Sequence, residues 1–451
     1  MPERILEYDV AVVGSGMAGL GAGIFLAQAG LKVICIEPQP FPHAPVGESL
    51  DWSAPGLLQS LGLRAERLIS DRVATRKQAI QVVAQNGRVF QRTPDYRLIR
   101  KLSRVAGDTI HVDRCALDQH LYAAAQSLGV SFLWDRVAKL STAGDDRILT
   151  CHTTGGHQIT APWFVDASGR TRLFARTFGI PRRVYGRRKV CLWTCLEAAS
   201  SSACTTFYIR PDDDYLAWTW EIPITPQRVS IGYVTSAEAI QNRRRQGRTA
   251  AQILAAELAH FPRLADLLDR QPAFNVRTTA FQGYTSARSS GANWLLVGEA
   301  AAMADPLTGN GVTAALRHAR AATRLILAAQ GQPTLSISAR RKYDASVQET
   351  AHIFNQGIES LVYAPPVRRG LGPITAVSAY VLLGFFTNAF YADRLLDSRL
   401  KQVFFRFWLS CMQFWIKAWM GTGNLAGKLL KRGTHAVPKH TETTGRSRRM
   451  T

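Results

Sequence analysis

Acidic side chains are scarce in this chain: 33 Asp and Glu face 55 Lys and Arg over 451 residues, a formal charge of +22. A field of that sign favours anionic partners: a dinucleotide, an acidic protein, anionic lipid or nucleic acid. No nucleic-acid-binding motif accompanies the charge, so no nucleic acid is expected. Much of the excess lies in short clusters, Arg182-Arg183, Arg187-Arg188-Lys189, Arg243-Arg244-Arg245 and Arg340-Arg341-Lys342, which read as solvated surface. Cysteine is sparse too. The seven are an odd number, none forms a CxxC pair, and none stands near histidines at metal-ligand spacing. That argues against a disulfide framework and a structural metal, and fits a reduced cytoplasmic protein. A basic segment followed by an apolar stretch is also missing at the start, where Glu3 and Glu7 precede a short strand, so no signal peptide is expected.

With 46% hydrophobic residues, a chain of this length can bury a large core and predicts two or three lobes. Its first 37 residues carry the strongest local pattern. An apolar, β-branched run, Tyr8 to Val13, is followed by Gly14-Ser15-Gly16-Met17-Ala18-Gly19 and a small-residue helix, Leu20 to Ala29. In such a turn Gly14 permits the tight bend, Gly16 lets backbone approach a pyrophosphate, and Gly19 lets the helix pack on the sheet. The phosphates would sit at the helix N-terminus around Gly16, Met17 and Ala18, where free N–H groups favour negative charge. A second strand, Leu31 to Ile36, ends at Glu37, placed to accept hydrogen bonds from a ribose. An acid there favours an unphosphorylated ribose, hence FAD or NAD.

Three later segments resemble flavoproteins and imply FAD. Val112 to Asp118, containing Arg114, resembles the arginine-bearing strand-to-helix segment of flavin monooxygenases. Val165-Asp166-Ala167-Ser168-Gly169-Arg170 resembles the DASGR segment of flavin-dependent halogenases, where a strand ends beside the adenosine half. Leu296 to Ala301 with Asp305 to Val312 resembles the GDA…DP…G segment whose acid binds the ribityl chain; Glu299 stands where the family usually has Asp. Pro306, Gly309, Asn310, Gly311 and Val312 would then approach the flavin pyrimidine end at a helix N-terminus. Two further matches narrow the family. Val46-Gly47-Glu48-Ser49 resembles the halogenase GES loop beside the flavin, and Trp218-Thr219-Trp220-Glu221-Ile222-Pro223 resembles the halogenase WxWxIP signature. The same segment is similar to one in geranylgeranyl reductases.

The implied fold is α/β: a Rossmann-like FAD-binding domain of the p-hydroxybenzoate hydroxylase type, with a β-sheet substrate lobe and a helical C-terminal region. The expected division is 1–75, 108–189 and 290–335 for FAD, 76–107 and 190–289 for the sheet lobe, and 336–451 for the helical region with its basic tail. Halogenases need a lysine that carries oxidised halogen to the substrate, and Lys77 follows the GES loop at the expected distance. They usually carry a serine where this chain has Gly309, however, and the tryptophan-specific ones an acid where it has Thr308. On this reading the chain hydroxylates an aromatic phenol or indole through a flavin C4a-hydroperoxide, with Lys77, Glu48 and Trp220 as catalytic candidates. The alternatives are halogenation through Lys77, a membrane-associated prenyl reductase, and a non-catalytic flavin-binding scaffold. Electrons would come from a flavin reductase or NAD(P)H.

Partners follow from the same resemblance. The substrate is an aromatic small molecule or an aromatic side chain of a polypeptide, such as the tryptophan hydroxylated in tryptophylquinone maturation, and an acidic protein would suit the basic surface. The uncharged run Gly370 to Ala392 and the aromatic segments Val403 to Trp408 and Phe414 to Trp419 would suit peripheral contact with the inner membrane, a partner or the core.

Overall fold

The β-branched run from Tyr8 to Val13 supplies the middle strand of a five-stranded parallel sheet. In the computed structural model the order is Trp294–Leu296, Trp163–Asp166, Val10–Val13, Val33–Glu37 and Ser131–Trp134. Continuous apolar strands such as Val10–Val13, buried at every position, are what a sheet covered on both faces requires. The described residues are 4–41, 46–51, 53–83, 87, 89–92, 109–200, 202–210, 217–271, 273–329, 331–359 and the single positions 363, 403, 407, 410 and 411. Helix Met17–Gln28 packs on this sheet, with helices Arg114–Ser127 and Gly311–Ala328 against it. Its run of glycine and alanine permits that closeness: a Cβ on Gly21 would lie 2.7 Å from Leu316.

A second, four-stranded sheet joins Arg4–Glu7, His157–Thr160, Arg147–Thr153 and Val137–Ala143. The largest sheet has eight strands, in the order Ala302–Met303, Arg277–Ser286, Arg182–Glu197, Arg228–Ser236, Ala217–Thr225, Cys204–Arg210, Ala79–Val83 and Val89–Arg92. Four short segments in which apolar and polar residues alternate along the sequence, Val190 to Leu196, Thr205 to Ile209, Ala217 to Ile222 and Val229 to Val234, all fall inside its strands. One face is covered by helices Ala237–Arg245, Ala250–Leu258 and Pro262–Asp269, through Leu192, Val229, Ile231, Leu254 and Leu264. The basic residues Arg243, Arg244 and Arg245 form the last turn of the first of these helices. The other face carries Cys191, Trp193, Trp218, Trp220 and Phe281 and turns toward the nucleotide-binding side of the molecule.

Helix Ile337–Ile358 crosses the end of this sheet and is capped by Glu359. The Gly370 to Ala392 run, the aromatic segments around Phe405 and Trp415 and the basic tail lie outside the described residues, apart from positions 403, 407, 410 and 411. Among the described residues, no helix is long and apolar enough to cross a membrane.

Candidate flavin and substrate site

The glycine turn is built as its spacing requires. Gly14 has φ of +96°, and a Cβ there would lie 2.4 Å from the carbonyl oxygen of Ala167. Gly19 packs so tightly that a Cβ would lie 1.9 Å from the oxygen of Gly14. Gly16 differs: it caps the helix in extended conformation with no side-chain capping bond, and nothing lies within 4 Å of where its Cβ would be. The N–H groups of the first helical turn, at Met17 and Ala18, thus open onto free space suited to a phosphate. Glu37 closes the turn from the side, its Oε2 accepting from the Ser15 N–H at 2.9 Å and the Ser15 hydroxyl at 3.3 Å.

Two expected contact residues are spent elsewhere. Asp166 is fully buried, with Oδ1 accepting from the Ser168 N–H and Oδ2 from the Phe174 N–H at 2.8 Å. It folds the 168–174 turn that backs Gly14, instead of presenting a carboxylate to a cofactor. The Ser49 hydroxyl turns away as well, sharing a 2.7 Å hydrogen bond with Thr205 of the large sheet. Thr205 also meets His111 Nε2 at 2.9 Å.

The GES loop is held by the segment that carries Arg114. Arg114 lies in the first turn of its helix, salt-bridged to Asp118, and Nη1 donates to the carbonyl of Val46 at 3.2 Å. The loop continues as an added strand, with Val112 N–H bonded to Glu48 O and Leu50 N–H to Ile110 O. Glu48 is buried, and burial pushes its carboxyl above the usual carboxylate range. Its Oε1 accepts from Ser230, whose hydroxyl in turn accepts from the Trp220 indole N–H at 3.1 Å. Trp220 therefore anchors the flavin loop to the sheet through one serine. Trp218 and Trp220 share a face with centroids 5.6 Å apart, and Gly232 leaves the room: a Cβ there would lie 2.3 Å from the Trp220 ring.

Lys77 ends the strand Ala74–Lys77 and is buried. Its amine donates to the Leu50 carbonyl at 2.9 Å, directly behind the GES loop. Burial lowers it to about 8, opposed by the nearby Asp51 carboxylate. Asp51 in turn accepts from Thr313, in the first turn of helix Gly311–Ala328, at 2.5 Å. Pro306 starts a short 3₁₀ turn capped by Asp305. Gly309 then adopts φ of +65° with its Cα against Ser49: a Cβ would lie 2.8 Å from the Ser49 oxygen. A serine here would need both a strained backbone and a shifted GES loop. Asn310 caps the following helix without a side-chain capping bond, Gly311 faces open space and Val312 is buried.

Glu299 is half exposed, with an oxygen 3.8 Å from Arg170. A cavity of about 390 Å³ opens between Glu48, Arg114 and the inner face of the large sheet, lined also by Trp193, Cys195, Arg228 and Arg277. Open space at Gly16, an exposed acid at 299, three guanidinium groups and this cavity form a donor set that fits an anionic dinucleotide with a planar ring. Among the described residues, no group of three or more His, Cys, Asp or Glu is arranged for a metal.

Sequence reasoning missed one cluster. Lys189, assigned above to solvated surface, is completely buried, 3.0 Å from Asp305 and bonded to Glu359. The pairing register of the strand shifts between Tyr185 and Lys189, which leaves Arg187 and Arg188 outside and turns Lys189 inward. The signal was present: Lys189 shares parity with Cys191, Trp193 and Cys195 on the inner face.

Comparison with known proteins completes the site. A family model described as tryptophan halogenase matches residues 81–356, more than half of the chain, and one described as FAD binding domain matches residues 9–91. The chain is 28% identical over 370 residues to a 1H-pyrrole-2-carbonyl-(peptidyl-carrier protein) chlorinase of Pseudomonas fluorescens, covering 76% of this chain and 80% of that one. It is 25% identical over 340 residues to the corresponding brominase of Pseudoalteromonas luteoviolacea, covering 69% and 75%. Among solved structures, the flavin-dependent brominase Bmp2 superposes with a TM-score of 0.71 at 20% identity, over 90% of this chain and 98% of that one. A probable FAD-dependent monooxygenase of Pseudomonas aeruginosa, PqsL, shares the fold at TM-score 0.67 and 17% identity, over 83% and 100%. The chain belongs to the tryptophan halogenase family and is an FAD-dependent oxidoreductase.

Proposed function

We propose that this enzyme halogenates an aromatic ring, with Lys77 relaying the oxidised halogen. The observation that carries the proposal is the Lys77 amine, buried behind the GES loop with its pKa lowered to about 8. FAD, when bound and reduced, supplies the reaction of dioxygen with halide that yields hypohalous acid. A free Lys77 amine can take the halogen: the N–halogen bond forms, the halogen–oxygen bond breaks and water leaves. Transfer to the ring forms the carbon–halogen bond, and the amine is restored. Gly14, Gly16, Met17, Ala18 and Gly19 would hold the pyrophosphate, Glu299 the ribityl chain, and Arg114 with Gly47 and Glu48 the loop over the ring. Relatives named for pyrrole carried on a peptidyl-carrier protein support a ring substrate that is free or tethered to a polypeptide, and an acidic carrier would suit the +22 charge.

A second reading, ring hydroxylation, is favoured by the turn at Gly309. Gly309 stands where halogenases usually carry a serine, packed against the Ser49 carbonyl, and the fold also hosts a probable monooxygenase. One experiment separates the two. The enzyme is supplied with reduced FAD, oxygen and bromide, with indole, phenol and pyrrole as ring probes, and product mass is measured. Gain of bromine is expected. Gain of oxygen with bromide present would replace halogenation by hydroxylation.

A further inference from the structure

Arg172 is a buried cation with no acid beside it. It follows the 3₁₀ turn Gly169–Thr171 and lies in the left-handed region, with φ of +51°. A non-glycine residue held there stores backbone strain, and such residues cluster at binding sites. The side chain is only 7% exposed. Its Nη2 donates to the Ile180 carbonyl at 3.3 Å and to the Ser286 hydroxyl at 3.0 Å. Nε has no partner, and Nη1 donates to no atom of the described residues.

Two more guanidinium groups converge on it. Arg182 pairs with Ser286 across the large sheet, opposite the serine that holds Arg172. Arg172 and Arg182 both lie over the Tyr284 ring, 5.4 and 5.5 Å from its centroid. Arg176 follows one turn later, on the helix Leu173–Thr177, and like Arg182 it is exposed. Among the described residues none of the three forms an ion pair with a carboxylate. The acids nearby are committed, Asp166 to the Ser168 and Phe174 N–H groups and Glu299 to Arg170 at 3.8 Å. Burial lowers the Arg172 guanidinium from its ordinary value, helped by Arg182 and Arg176 and opposed by Tyr284 and Asp166. Like charges gathered around a buried one are costly unless an anion compensates them.

We infer that Arg172, Arg176 and Arg182 form a site for the phosphate of a phosphate ester, a ligand separate from FAD. Guanidinium forks match phosphate oxygens, and two from a helix facing one from a strand suit an anion with oxygens on several sides. A single carboxylate or halide meets fewer of them. The pyrophosphate of FAD has its own place at Gly16, Met17 and Ala18. The new site adjoins the flavin all the same, because Tyr284 donates to the carbonyl of Glu299, the acid placed for the ribityl chain. Arg170 reaches Glu299, while Arg172 two residues on serves the second anion. Two sources bring such a group to a flavin: a pyridine nucleotide that reduces it, or the phosphate-bearing arm of a carrier that tethers the ring. The inference holds whether the ring is halogenated or hydroxylated.

The test is binding, which separates it from ring chemistry. FAD-loaded enzyme, its flavin followed by absorbance, is titrated calorimetrically at constant ionic strength with inorganic phosphate, ADP-ribose and phosphopantetheine. One ester is expected to bind at least about tenfold more tightly than inorganic phosphate, and which one it is names the source. Arg172→Gln and Arg182→Gln should each weaken that ester roughly tenfold, the factor of one hydrogen bond between charged groups, with FAD retained. Arg172→Lys, which keeps the charge, should recover part of the loss. Arg182 is exposed, so its variant tests the site even if replacing the buried Arg172 disturbs the turn. Arg244→Gln, in a separate basic cluster, should change nothing. Failure of wild type to bind any of the three, or esters no tighter than inorganic phosphate, would overturn the inference. So would an equal loss in Arg244→Gln, or displacement of the ester by bromide at the same ionic strength. Product mass with free rings reports on halogenation independently.

Discussion

At the scale of single residues, Lys77 shows how burial becomes chemistry. An ordinary lysine is almost wholly protonated near pH 7, whereas one at about 8 carries roughly a tenth of its population as free amine, some three hundredfold more. If that amine takes the halogen, bromination should rise as pH passes through about 8. The Asp51 carboxylate favours the ammonium form, so Asp51→Asn should move this rise to lower pH. Lys77→Met, similar in length and without charge, should cut ring bromination by about a hundredfold or more while bound FAD, read by absorbance, is retained. A flat pH profile, or one unmoved by the Asp51 change, would remove the free amine from the reaction. The same comparison weighs against Glu48 as a direct participant, since both its oxygens are engaged, by the Gly47 N–H and by Ser230.

At the scale of elements, the glycine turn is the part of the site most legible in sequence, because it is local: strand, turn, helix and strand within 37 residues. Its geometry separates folding from binding. Gly14 and Gly19 face backbone atoms, so substitution there damages the fold, but Gly16 faces open space. Gly16→Ala should therefore leave the melting temperature of the flavin-free protein within a degree or two, and weaken FAD by about tenfold or more. A large loss of stability with unchanged flavin affinity would mean that the open space at Gly16 is not the phosphate site. Other pieces were legible as segments but not as contacts. The DASGR segment was visible, yet nothing in it says that Asp166 would be spent on the Ser168 and Phe174 N–H groups. Ser49 in the GES loop pairs with Thr205, 156 residues away. Lys189 was hidden by its exposed neighbours Arg187 and Arg188, although it keeps the inward parity of Tyr185, Cys191 and Trp193 through the local shift in strand register.

At the scale of the whole molecule, the two sheets meet through charge. Asp113 caps helix Arg114–Ser127 and also accepts from Arg228 of the large sheet, so one carboxylate serves both the nucleotide side and the substrate side. Arg228, Arg277 and Arg114 then line the cavity between them. The chain as a whole carries a net charge of +22, which makes the approach of an anion faster than that of a neutral ring. FAD carries its negative charge on the pyrophosphate, whereas lumiflavin has the same ring and no phosphate. Raising the salt from about 0.01 M to about 0.15 M shortens the screening length from about 30 Å to about 8 Å. The association rate of FAD with the flavin-free protein, followed by quenching of flavin fluorescence, should fall several-fold over that range. Lumiflavin should show no such fall. Equal salt dependence for the two would mean that the surplus of arginine and lysine does not steer the cofactor and serves some other anion.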